Sequence, residues 1–194
     1  ERLDWKAALF ERVAPHLGPN TILASNTSGL SINALADHCP ASVRSRFCGI
    51  HFFNPPRYMH LVELIPAQQA DPLLLDRLES FLVRLMGKGV VRAKDTPNFV
   101  ANRIGVFSML ATIHHAKRLG LPFDLIDDIT GDKLGRAKSA TFRTADVVGL
   151  DIFAHVVNTM RDNLSSDPWH SYYQVPAWLE QLIANGQLGQ KTKG

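Results

Sequence analysis

The feature that most constrains this chain is a change of hydrophobic period near Asp95-Thr96-Pro97. Ahead of it, helical spacings alternate with short apolar runs of strand type, and beyond it only helical spacing recurs. Trp5, Ala8, Leu9, Phe10, Val13 and Ala14 form a helical stripe over residues 4–16, which Gly18-Pro19-Asn20 ends. Thr21-Ile22-Leu23-Ala24 reads as a strand that stops at the turn-forming cluster Ser25-Asn26-Thr27-Ser28-Gly29. Ser31 then caps a short helix to about Asp37. Residues 47–53 and 61–65 read as two buried strands. Asp71-Pro72 is an N-cap with proline at the first helical position, and its helix runs to about Met86. Gly87 and Gly89 close that helix before a strand at Val90-Val91. Helix, strand, helix, strand, strand, helix, strand is the order of an α/β layer architecture. Pro97 disfavours helix at the residue before it, so the domain boundary is expected there, giving 1–96 and 97–194. The second part is expected to be all helical, with helices over 99–119, 123–130, 144–164 and 175–184.

Several function classes fall away at this level. No apolar run reaches 18 residues, so no transmembrane helix is expected. Net charge is +3 with no Lys/Arg stripe and interleaved aromatics, which argues against nucleic acid and suits an anionic ligand. Cys39 and Cys48 read as reduced thiols of a cytoplasmic-type protein, with a disulfide between them left open. His38 beside Cys39 and the pair His114-His115 lack zinc-ligand spacing, so no metal is expected. The α/β part is too small for a complete dinucleotide-binding domain, and no G-x-G-x-x-G occurs anywhere. The chain also starts without Met, directly in a helical pattern, and ends on a polar exit. It is therefore expected to be a piece of a longer protein.

Three polar groups stand out at strands and turns: Ser28, His51 and Glu63. A carboxylate inside the apolar run Leu61-Val62-Glu63-Leu64-Ile65 is costly unless paired. His51, on the neighbouring strand, is its cheapest partner, and a His–Glu pair orients an imidazole for general-base work. Two readings stay open from spacing: this pair, or a structural histidine with Glu63 turned to an arginine or to solvent. Asn102 near the start of the long helix reads as a cap or packing residue.

The runs Ser25-Asn26-Thr27-Ser28-Gly29-Leu30, His51-Phe52-Phe53-Asn54-Pro55, Leu61-Val62-Glu63-Leu64-Ile65 and Lys94-Asp95-Thr96-Pro97-Asn98-Phe99-Val100-Ala101-Asn102-Arg103, in this order and spacing, resemble the L-3-hydroxyacyl-CoA dehydrogenase family. Residues 141–151 look like the long multifunctional branch, which also carries an enoyl-CoA hydratase region. The resemblance implies the C-terminal half of a Rossmann-type NAD-binding domain without its glycine-rich half, then a helical substrate-binding and dimerisation domain. It implies NAD-dependent oxidation of a (3S)-3-hydroxyacyl-CoA in fatty-acid β-oxidation. His51 would take the hydroxyl proton, Glu63 would orient His51, and Ser28 and Asn102 would hold the substrate oxygen. Glu1, Lys6, Asn26 and Asn54 would lie at the cofactor. The implied partners are an acyl-CoA and either a second copy or a second dehydrogenase-like domain of the same chain, with no membrane. Residues 135–142 depart from the Pro- and Gly-rich run of the short members. Two rivals remain: a non-catalytic association module that binds no NAD, and a hydroxyacid dehydrogenase with a lysine base, for which no lysine stands in a matching motif.

Overall fold

The computed structural model describes residues 2–193, which form two compact units divided between Val100 and Ala101. The first unit runs α1 (Leu3–Val13), β1 (Leu23–Ser25), α2 (Ile32–Asp37), α3 (Ala41–Arg44), β2 (Phe47–Phe52), β3 (Leu61–Pro66), α4 (Pro72–Arg84) and β4 (Gly89–Arg92). Every element expected from the sequence is present, and α3 is added. Its four residues are too few for a periodic signal.

The sheet order is β1-β2-β3-β4. β1 and β2 pair parallel, β2 and β3 antiparallel, and β3 and β4 parallel. Connection length explains the mixture. α2 and α3 supply the crossover between β1 and β2, and α4 that between β3 and β4, whereas residues 53–60 are too short a link for a parallel return. One face of the sheet packs Phe47 and Ile65 with Phe10 of α1 and Ile32 and Leu35 of α2. The other packs Cys48 and Leu64 with Leu75 of α4. Gly49 permits the close approach of α2, because a Cβ there would sit 2.6 Å from Ile32 Cδ1.

Cys39 and Cys48 are free thiols, both buried. Burial pushes Cys48 up to about 12 and Cys39 up to about 11, the nearby Arg44 only partly opposing the shift at Cys39. Since the thiolate is the nucleophile, neither is expected to react with a thiol reagent at pH 8 in the folded protein. Both should label once the chain is unfolded, and mass spectrometry of the two samples checks this.

Lys88 is buried, and its ammonium donates to the carbonyls of Pro56 and Met59 at 2.5 and 2.7 Å. It ties down the link that follows β2. Lys88→Met leaves both acceptors without their donor and is expected to cost about 1–3 kcal/mol. Thermal unfolding reads this directly, and an unchanged melting temperature would refute the clamp.

The second unit holds α5 (Ala101–Leu119), α6 (Phe123–Thr130), α7 (Phe142–Val148), α8 (Leu150–Asn163) and α9 (Ala177–Ala184). Its core gathers Val106 and Leu110 of α5, Phe153, Val157 and Met160 of α8, Tyr173, and Leu179 of α9. The single helix expected over 144–164 is two helices. Gly149 breaks it at φ 101 and ψ 127, a backbone that other residues rarely adopt. Asp127 of α6 accepts from the backbone N–H groups of Thr141, Phe142 and Arg143, which fixes the start of α7. Among the described residues, no helix is long and apolar enough to cross a membrane.

Candidate active site

His51 and Glu63 are direct cross-strand partners of β2 and β3, so their side chains share one face of the sheet. Both are buried, at 4% and 0% exposure. His51 Nδ1 and Glu63 Oε2 lie 2.7 Å apart. The second carboxylate oxygen, Oε1, accepts the backbone N–H of Val100 at 2.9 Å. A carboxylate only accepts, so Nδ1 carries the ring proton and Nε2 is left as the basic nitrogen. Ser28 Oγ lies 3.2 Å from Nε2. The imidazole is walled by Phe53 and Phe99, with ring centroids 4.5 and 5.7 Å away. Of the two readings left open by spacing, the geometry is that of the His–Glu pair.

The turn that carries Ser28 is braced from a distance. Asp95 accepts from Ser31 Oγ, from the backbone N–H groups of Ile32 and Asn33, and from Asn33 Nδ2, all between 2.7 and 2.9 Å. One carboxylate thus holds the N-terminus of α2 from 63 residues away. Ser31 also caps α2 through Ala34 N–H, and Thr27 Oγ1 accepts from Leu30 N–H.

The other expected site residues are distributed as follows. Asn26 is exposed, and its Oδ1 accepts the Phe52 N–H at 2.9 Å, joining the carboxyl ends of β1 and β2. Lys6 donates to Ser25 Oγ at 3.2 Å, at the same end of β1. Asn54 is exposed, two residues past β2 and just before a cis bond to Pro55. Asn102 lies in the first turn of α5, in the second unit. Glu1 lies outside the described residues. Among the described residues, no group of three or more His, Cys, Asp or Glu could hold a metal.

The sequence reading missed the Val100 N–H and the left-handed pair Asn98–Phe99 that presents it. The Val100 N–H is a backbone group, which side-chain patterns do not reveal. Asn98 and Phe99 both take left-handed backbone, at φ 59 and 51, and this bends the chain so that Val100 N–H meets Glu63. The one available signal was the asparagine, which tolerates that region better than most residues.

Comparison with known proteins places the chain in a family. The model of the 3-hydroxyacyl-CoA dehydrogenase NAD binding domain matches residues 1–96, and that of the 3-hydroxyacyl-CoA dehydrogenase C-terminal domain matches residues 99–194. A probable 3-hydroxyacyl-CoA dehydrogenase of Bacillus subtilis (strain 168) is 42% identical over 99% of this chain, which spans 24% of that protein. One from Deinococcus radiodurans is 40% identical over 99% of this chain, which spans 55% of it. The chain therefore spans between about a quarter and a little over half of these relatives. The crystal structure of (S)-3-hydroxybutyryl-CoA dehydrogenase PaaH1 from Ralstonia eutropha superposes with a TM-score of 0.83. It is 30% identical, over 99% of this chain and 65% of that one. With both domain models matched in sequence order over nearly its whole length, the chain belongs to the 3-hydroxyacyl-CoA dehydrogenase family.

Proposed function

We propose that this chain carries the proton-transfer centre of an NAD-dependent (3S)-3-hydroxyacyl-CoA dehydrogenase. The observation that supports it most is the buried relay Ser28–His51–Glu63. A non-catalytic module has no use for such a group. An ionisable pair taken out of water costs free energy that packed apolar residues would not.

His51 Nε2 is the group that accepts the proton of the substrate 3-hydroxyl, and Glu63 stabilises the imidazolium that results. The Ser28 hydroxyl, which donates to Nε2 in this structure, turns to hold the substrate oxygen as it becomes a ketone. Asn102, in the first turn of α5, keeps the substrate-binding role that the family resemblance implies. Bound NAD would supply the hydride acceptor for C3, which balances the two-electron oxidation.

The residues present fit the nicotinamide end of that cofactor. Lys6 and Asn26 are polar groups at the carboxyl ends of β1 and β2, where open α/β sheets bind ligands. The sequence has no G-x-G-x-x-G, so no residue here is assigned to the pyrophosphate. The helical unit is read as the substrate-holding and association part. It pairs with a second copy or with a second dehydrogenase-like unit, and the exposed Leu134, Val147 and Ile152 support that reading.

The test is acetoacetyl-CoA-dependent oxidation of NADH, followed by absorbance, in the protein that contains this chain. Turnover abolished by substitution of His51 supports the reading. Turnover that ignores His51, or none with any 3-oxoacyl-CoA, overturns it.

A further inference from the structure

Asn98 belongs to the motif that joins the two units, yet the relay does not use it. It is 2% exposed and sits at φ 59, followed by Phe99 at φ 51. Left-handed backbone at a residue other than glycine is held only where the surroundings demand it. Three contacts of this short segment supply the demand. Val100 N–H reaches Glu63 Oε1, and the Phe99 ring lies against His51. Asn98 Oδ1 lies 3.8 Å from the point that a Cβ on Gly29 would occupy, beside Ser28. Residues 98–100 thus abut Glu63 and His51 and reach Gly29, the neighbour of Ser28.

A glycine would satisfy the backbone at position 98 at lower cost. What asparagine adds is the carboxamide. Among the described residues, no fully buried side-chain nitrogen or oxygen lacks a partner, so a buried amide here is a bonded brace rather than an idle group. We propose that Asn98 is a positioning residue, whose carboxamide holds the Ser28–Gly29 turn so that the Ser28 hydroxyl stays on His51 Nε2. Its effect on turnover rests on the proposed role of His51, whereas its effect on the Ser28–His51 geometry does not.

The experiment compares the parent protein with Asn98→Gly, Ser28→Ala and the double variant. Asn98→Gly keeps the left-handed backbone and removes the carboxamide. Two readouts are taken: the ring-nitrogen NMR signals of His51, and kcat and KM with acetoacetyl-CoA. In Asn98→Gly the Nε2 signal is expected to move toward its position in Ser28→Ala. The kcat is expected to fall about 10–100-fold, as misplacing a reacting group does. The double variant should fall no further than Ser28→Ala alone. An unmoved Nε2 signal, or effects that add in the double variant, overturns the proposal. A moved signal in a parent without turnover leaves the positioning role standing and sinks the dehydrogenase reading instead. If the glycine variant does not fold, Asn98→Ser is read by the same two outcomes.

Discussion

His51→Asn is expected to lower kcat by about 10²–10⁴-fold, the usual contribution of a positioned general base. The fold should survive. His51 Nδ1 donates to Glu63 Oε2, and an asparagine amide nitrogen, two bonds from Cβ as Nδ1 is, can make the same donation from nearly the same place. What asparagine lacks is a second, basic nitrogen facing Ser28, where Nε2 now lies at 3.2 Å. The loss should therefore appear in kcat with KM for the acyl-CoA little changed, because an interaction made only in the transition state is removed. Each tenfold loss is about 1.4 kcal/mol of transition-state stabilisation. Steady-state kinetics on the purified variant, with thermal unfolding as the folding control, checks this. A variant that keeps a tenth or more of parental kcat would show that another group takes the proton.

How much of this site the sequence announces depends on the type of signal. Spacing offered the His51–Glu63 pair only as one of two readings, and the antiparallel register of β2 and β3, which the short link imposes, is what brings these residues 12 apart face to face. The caps Ser31 and Asp71 were legible because they act on backbone groups two or three residues away. Asp95 works on the same helix as Ser31 from 63 residues off, and no local pattern carries that distance. The left-handed pair Asn98–Phe99 was hidden for a related reason, since its conformation is imposed by Glu63 and His51 and not by its own propensities. At Gly149 the apolar helical period continues across the break, so periodicity alone joined α7 and α8. The roles of Lys6, Asn26 and Asn54 came from family resemblance. The structure gives two of them hydrogen bonds at the carboxyl ends of β1 and β2, which is placement and not yet binding.

Glu63→Gln tests the other end of the relay, and its expected loss is about 10²–10⁴-fold in kcat, by analogy with amide substitution of the carboxylate in a Ser–His–Asp triad. The reason lies in the donor count. The carboxylate accepts from two donors at once, His51 Nδ1–H on one oxygen and Val100 N–H on the other. A carboxamide has one accepting oxygen and one donating nitrogen. If its oxygen stays on Val100, its NH₂ faces Nδ1, the imidazole must adopt the other tautomer, and Nε2 becomes protonated and useless as a base. If its oxygen stays on His51, the NH₂ opposes Val100 N–H and one buried donor is orphaned, at about 1–3 kcal/mol. The first arrangement costs activity and the second costs stability, so the two cannot both be spared. Glu63→Ala loses both acceptors and opens a cavity, and it should melt well below Glu63→Gln. Ring-nitrogen NMR of His51 in Glu63→Gln identifies the tautomer directly. Parental kcat together with a parental melting temperature in Glu63→Gln would mean that the carboxylate neither orients His51 nor holds Val100. The relay would then have to be abandoned as the basis of the activity.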